Sequence, residues 1–155
     1  LDERRLALGY IAGADAYDRQ DWAAAVSSWE TVYQVRPNYQ EGRLQQRLLD
    51  AYPQAARQLI TTANGKVAQL IQAIRYLYQA LAVRPDDQSL IEERRLIIDF
   101  VAGSEAFAQQ KWNLAIAHWG SIYAVRPDYQ GDTLKRRLTE ACANASEPHP
   151  AACPP

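Results

Sequence analysis

A chain that repeats itself is confined to a small set of architectures, and this one does so openly. The segment that opens LDERRL and runs through AGADAYDRQDWAAAVSSWETVYQVRPNYQ to residue 52 returns as IEERRL through AGSEAFAQQKWNLAIAHWGSIYAVRPDYQ. The offset is constant at 90, carrying Trp22 to Trp112 and Pro37 to Pro127. A diverged copy, QAIRYLYQALAVRP, lies between, so Val-Arg-Pro ends at Pro37, Pro85 and Pro127 with spacings of 48 and 42. Repeats of that length predict a stacked array. Such an array buries its core between neighbouring units and offers a long surface, which favours binding or assembly over chemistry.

The units read as helices. Trp22, Ala25, Val26, Trp29, Val32 and Tyr33 share one helical face, and Trp112, Ala115, Ile116, Trp119, Ile122 and Tyr123 repeat it. Asp21 is the expected N-cap of the first of these helices, and Arg36 and Pro37 close it. Longer helices precede them over 2–19 and 89–109, the second opened by a Ser89-x-x-Glu92 capping box. Their stripes are Leu6, Tyr10, Gly13, Ala14 and Tyr17, then Leu96, Phe100, Gly103, Ser104 and Phe107. Between the copies a helix covers 39–63, where Pro53 either kinks it or starts another. Asn64-Gly65 turns the chain into a helix over 67–83 with the stripe Val67, Leu70, Ile74, Leu77 and Leu81. Tyr129, Leu134, Leu138 and Ala141 continue a last helix to about 145. No segment alternates with the period of two that a strand needs. The expected class is all-α: three antiparallel hairpins and a C-terminal helix in one domain over 1–145, with units near 1–37, 38–85, 86–127 and 128–145, then a Pro-rich tail over 146–155.

The pattern resembles the tetratricopeptide repeat, in which a small residue and then an aromatic on the first helix meet Ala-x-x-x-aromatic on the second, followed by Pro. Here these are Gly13, Tyr17, Ala25-x-x-x-Trp29 and Pro37, then Gly103, Phe107, Ala115-x-x-x-Trp119 and Pro127. The middle copy keeps Ala73-x-x-x-Leu77 and Pro85, but its first helix does not match. The spacings exceed the usual 34 residues and lengthen the first helix by roughly 12 Å. The resemblance implies a TPR-like solenoid of three hairpins plus a helix. It also implies that parts of the first helices line a groove for an extended peptide or a partner helix. Tyr10, Ala14, Tyr17, Phe100, Ser104 and Phe107 would then make that groove apolar and aromatic. The tryptophans of the second helices belong to the core.

Composition excludes several functions. With 17 Lys and Arg against 18 Asp and Glu the net charge is −1, so no field draws the chain to nucleic acid or an acidic membrane. No apolar run approaches the roughly 20 residues that span a bilayer, and no charged-then-apolar leader opens the chain. The chain holds no Met, even at position 1, and so reads as a processed product or an excised piece, and any signal or membrane anchor could have been lost with the missing part.

Catalytic chemistry finds little footing. His118 reads as a helix-surface residue and His149 as part of the tail; neither has Cys, His or carboxylate at metal-site spacing, and no phosphate loop or nucleophile elbow occurs. Glu92-Glu93 and Asp86-Asp87 sit at helix starts and complement the dipole. Lys135-Arg136-Arg137 reads as a solvated face, and Arg36, Arg84 and Arg126 either cap helices or form a ladder for an acidic partner. No enzyme activity and no cofactor is expected.

The cysteines carry a separate clue. Cys142 takes the place of Tyr52, and Cys153 lies in SEPHPAACPP, which has no apolar pattern of its own. A disulfide between them explains both and would stabilise by about 3 kcal/mol in the chain-entropy model. It implies an oxidising setting, extracellular or periplasmic, with the cytoplasm as the alternative. The near-duplicate outer units suggest that copies stack head to tail into an oligomer or filament. Leu1, Leu8 and Ile11, which lie off the main stripe of the first helix, would be the self-association face. The alternative is a receptor for a peptide or helix of another protein, and a third class is an enzyme-associated or ligand-binding helical domain.

Overall fold

A computed structural model describes residues 2–146 and 151–155. Among them there is no strand. The helices are α1 (Glu3–Asp18), α2 (Trp22–Val35), α3 (Arg43–Thr62), α4 (Val67–Val83), α5 (Gln88–Ala108), α6 (Trp112–Val125) and α7 (Asp132–Asn144), with a 3₁₀ turn at Tyr39–Gly42 before α3. Each helix packs mainly on the one before and after it in the chain. Short connections explain that order, since a few loop residues leave a helix no choice but to turn back on its predecessor.

Inside each outer hairpin a tryptophan lies against a glycine. Trp29 and Trp119 are fully buried. Their ring nitrogens donate to the Tyr10 and Phe100 carbonyls, both at 3.1 Å. A Cβ on Gly13 would fall 2.2 Å from the Trp29 ring nitrogen, and one on Gly103 2.4 Å from that of Trp119. Only glycine lets the indole lie on the backbone of the first helix, which is why the small residue and the aromatic occur together in both copies. Tyr17 and Trp22 close one end edge to face, with ring centroids at 4.7 Å; Phe107 and Trp112 do so at 5.3 Å.

The hairpin turns match as closely. Beyond α1, Gln20 adopts φ 61° and Asp21 N–H reaches the Ala16 carbonyl; beyond α5, Gln110 adopts φ 58° and Lys111 N–H reaches the Ala106 carbonyl. This is the left-handed Schellman ending, built on glutamine where glycine is favoured. Asp21 caps α2 by accepting from Ala24 N–H, while Lys111, with no acceptor, leaves α6 without a side-chain cap. Two expectations are corrected. α5 begins at Gln88 and Asp87 caps it by accepting from Leu90 N–H, so Ser89 is not the capping residue. The capping carboxylate lies two residues earlier than the Ser-x-x-Glu spacing suggests, because the helix needs an acceptor where its first free N–H groups point. The helix expected from residue 39 starts at Arg43, after the turn, and then runs unbroken past a buried Pro53.

Candidate interaction surfaces

The residues expected to line a groove divide between core and edge. Phe100 is wholly buried between Trp119 and Tyr129, with ring centroids at 6.1 and 5.9 Å. Ser104 is buried and donates to the Phe100 carbonyl. These two are therefore core residues instead of groove residues. Tyr10, Ala14, Tyr17 and Phe107 are half-buried. Tyr10 rests on Tyr39 and beneath the Arg47 guanidinium, and the Tyr17 and Phe107 rings rest on tryptophans. The reason is visible in the spacing. Positions 10 and 17 lie three before and four after Gly13, on the stripe through which the second helix approaches.

The face of α1 away from that stripe is open. Leu8 and Ile11 are 58% and 53% exposed, and Arg4 and Asp15 on the same side are exposed. Leu1 lies outside the described residues. The same face of α5 has a neighbour in α4, where Arg94 lies over the Tyr78 ring at 5.2 Å. Ile97 is buried there while its equivalent Ala7 is half-buried, and Val101 is half-buried while its equivalent Ile11 is exposed. Ile98, the equivalent of Leu8, is also exposed, at 41%.

At the other end the chain folds back on itself. Cys142 and Cys153 form a disulfide with Cα atoms 6.1 Å apart. Ala152, next to the bridge, presses on α6, where a Cβ on Gly120 would fall 2.8 Å from its own. The repeat makes Glu30 the equivalent of Gly120 and Tyr52 the equivalent of Cys142. There α4 supplies the cover: the Tyr52 hydroxyl donates to Glu30 at 3.0 Å, Arg75 donates to the second oxygen of Glu30 at 2.7 Å, and the Tyr76 ring lies 5.6 Å from that of Tyr52. Burial, then the Glu30 carboxylate, pushes the Tyr52 phenol well above its usual range; the hydrogen bond to Glu30 raises Arg75.

Other polar groups mostly tie helices together. His118 faces Asp99 of α5 at 3.2 Å, half-buried instead of free on the surface. Arg36, Arg84 and Arg126 are all exposed; Arg36 pairs with Glu3, and Arg126 lies over the Tyr129 ring. Arg57 pairs with Glu93, linking α3 to α5, and with Arg126 and Tyr129 they wall a cavity of about 230 Å³. Among the described residues the second Glu93 oxygen and the Tyr129 hydroxyl are buried with no hydrogen-bond partner, and burial pushes the Tyr129 phenol upward. Gln130, buried, bridges the Ile60 carbonyl and the Gly65 N–H, docking the start of α7 on the α3–α4 turn. Gln58 likewise joins Ala23 N–H and the Gln20 carbonyl. Neither glutamine shows in helical periodicity, since each acts on backbone far away in sequence.

Among the described residues no helix is long and apolar enough to cross a membrane, and no cluster of three or more His, Cys, Asp or Glu is placed to hold a metal. His149 lies outside them. Comparison of the chain with protein-family models, with curated proteins and with solved structures finds no match in any of the three.

Proposed function

We propose that this chain is a non-enzymatic, TPR-like helical-repeat protein that works through its surface and whose partner is a second copy of itself. The observation that carries the reading is the uncovered face of α1, with Leu8 and Ile11 more than half exposed. A terminal unit of a monomeric array presents a polar outer face, and this one sets two large apolar residues between its charges. The face is also self-complementary. Arg4, Leu8, Ile11 and Asp15 fall at i, i+4, i+7 and i+11, on one side of the helix. Laid antiparallel on a second copy with Leu8 beside that copy's Ile11, it sets Arg4 beside that copy's Asp15. One register then meets both the apolar and the charged contacts about a two-fold axis.

The head-to-tail stacking suggested by the duplicated outer units needs a bare C-terminal end, and the bridged tail lies over that end. A closed pair through α1 is therefore favoured over an open filament. One pair of 16-residue helices is a small interface, so the affinity should be on the order of micromolar. The receptor reading is weaker, because Phe100 and Ser104 are taken up by the core. The disulfide fits an extracellular or periplasmic setting.

Sedimentation across a concentration series tests the pairing. The native chain should shift from monomer to dimer, and Leu8→Glu or Ile11→Glu should hold it monomeric with its helical circular dichroism unchanged. Arg4→Asp should weaken the pair, and adding Asp15→Arg to it should restore affinity. A chain that stays monomeric throughout, or a dimer indifferent to these changes, overturns the reading.

A further inference from the structure

We propose that the face of α6 and α7 beneath residues 151–155 is a docking surface for an amphipathic helix, and that these disulfide-held residues are the cover that keeps it closed. The inference rests on reading the chain as a repeat array but not on pairing through α1, which lies at the opposite end.

The internal repeat says what belongs on this face. By the offset of 90, α7 corresponds to the first part of α3, and α6 to α2. In the first unit the helix that follows, α4, packs on α3, with Tyr76 against Tyr52 and Arg75 on Glu30. In the last unit the equivalent positions are Cys142 and Gly120, and they meet Cys153 and Ala152 of the tail. Five residues that form no helix thus stand where a helix stands in the earlier unit.

The chemistry of the two positions defines the occupant. Glu30 and the Tyr52 hydroxyl call for a cation, and α4 answers with Arg75. Gly120 and Cys142 offer neither charge nor hydroxyl, and Gly120 leaves room where Glu30 has a side chain. A helix seated there keeps the stripe by which α4 is buried, Leu70, Ala73, Leu77 and Ala80, but carries a bulky aliphatic residue in place of Arg75. Opening the face requires a dithiol reductant. It converts the bridge to two thiols and is itself oxidised to a cyclic disulfide, so two electrons and two protons pass to the cysteines. Among the described residues 151–155, Ala152, Cys153 and Pro154 are half-buried and no helix includes them, so nothing beyond the bridge and these side-chain contacts is seen to hold them.

The probe is a fluorescent synthetic peptide of residues 64–86 carrying Arg75→Leu, titrated by anisotropy against the whole protein. It should bind the dithiol-reduced protein and Cys153→Ser at least about tenfold more tightly than the oxidised protein. Adding Gly120→Glu to Cys153→Ser should reverse its preference toward the peptide with Arg75 retained. A chain ending at Ser146 should bind as Cys153→Ser does, which guards against a substitution that merely misfolds. Equal binding with and without the bridge overturns the proposal, as does absence of binding to reduced protein whose circular dichroism is intact. Loss of helix on reduction overturns it equally, because the tail would then be a structural clasp and not a cover. Unchanged dimerisation through α1 in any of these cases leaves the two proposals separately judged.

Discussion

Where α2, α3 and α4 meet, a half-buried carboxylate holds the junction: Glu30 takes the Tyr52 hydroxyl on one oxygen and Arg75 on the other. Where α6, α7 and the tail meet, the equivalent residues are Gly120 and Cys142, and a covalent bond replaces the ionic network. The offset of 90 in the sequence sets the two junctions at equivalent positions, and α2 and α6 have the same length. What differs is the cover. A 17-residue helix brings enough packing surface to place charged partners accurately, and a short tail does not, so the tail is held by chain connectivity instead. The comparison teaches that repeat position dictates which face is turned inward, while the neighbour laid on that face selects its chemistry.

The strongest test of equivalence between the outer units is the tryptophan pair. Trp29→Ala and Trp119→Ala should each destabilise by about 3 to 5 kcal/mol in chemical unfolding, because each leaves a cavity against a glycine-bearing helix that cannot collapse. Costs that differ by more than about 2 kcal/mol would show that the units are alike in outline only. Next comes the bridge. Cys142→Ser should cost up to about 3 kcal/mol, and hydrogen exchange should rise at the end of α7 and in the tail while α2 to α4 stay protected. Rapid exchange in α3 as well would mean that the two junctions are coupled.

The ionic junction is expected to be worth less. Glu30→Ala should cost about 1 to 2 kcal/mol, most of it from leaving the Tyr52 hydroxyl buried without a partner, since the Arg75 side chain is 47% exposed and screened by solvent. The same junction should be alkali-sensitive. Burial raises Tyr52 and Tyr76 in the folded chain, so their contribution is full below tyrosine's ordinary pKa of about 10 and is lost as pH climbs toward the raised folded-state values. Urea midpoints measured on either side of that pH should fall on the alkaline side, and Tyr52→Phe should flatten the decline. Smallest are the hairpin turns. Gln20→Gly and Gln110→Gly should each stabilise by up to about 1 kcal/mol, because glycine adopts the positive φ without steric cost. An effect at one turn alone would separate the outer units again.

The helices, their order, the pairing of Gly13 with Trp29 and of Gly103 with Trp119, and the link from Cys142 to Cys153 were all legible in the residues. Each rests on information within a few turns of chain or on direct comparison of two copies: a 3.6-residue period, a proline stop, a cysteine where the first copy has tyrosine. The candidate faces were legible only in part. Leu8 and Ile11 stand out as apolar residues off the main stripe, but Phe100 and Ser104 passed for groove residues because periodicity names a face without naming its neighbour. That Gln130 docks on the α3–α4 turn, that Arg57 reaches Glu93, and that Ala152 lies on Gly120 was decided by tertiary structure alone. These contacts join residues some 30 to 70 positions apart, and they depend on how successive helices cross, a geometry set by packing of whole faces and not by any local pattern.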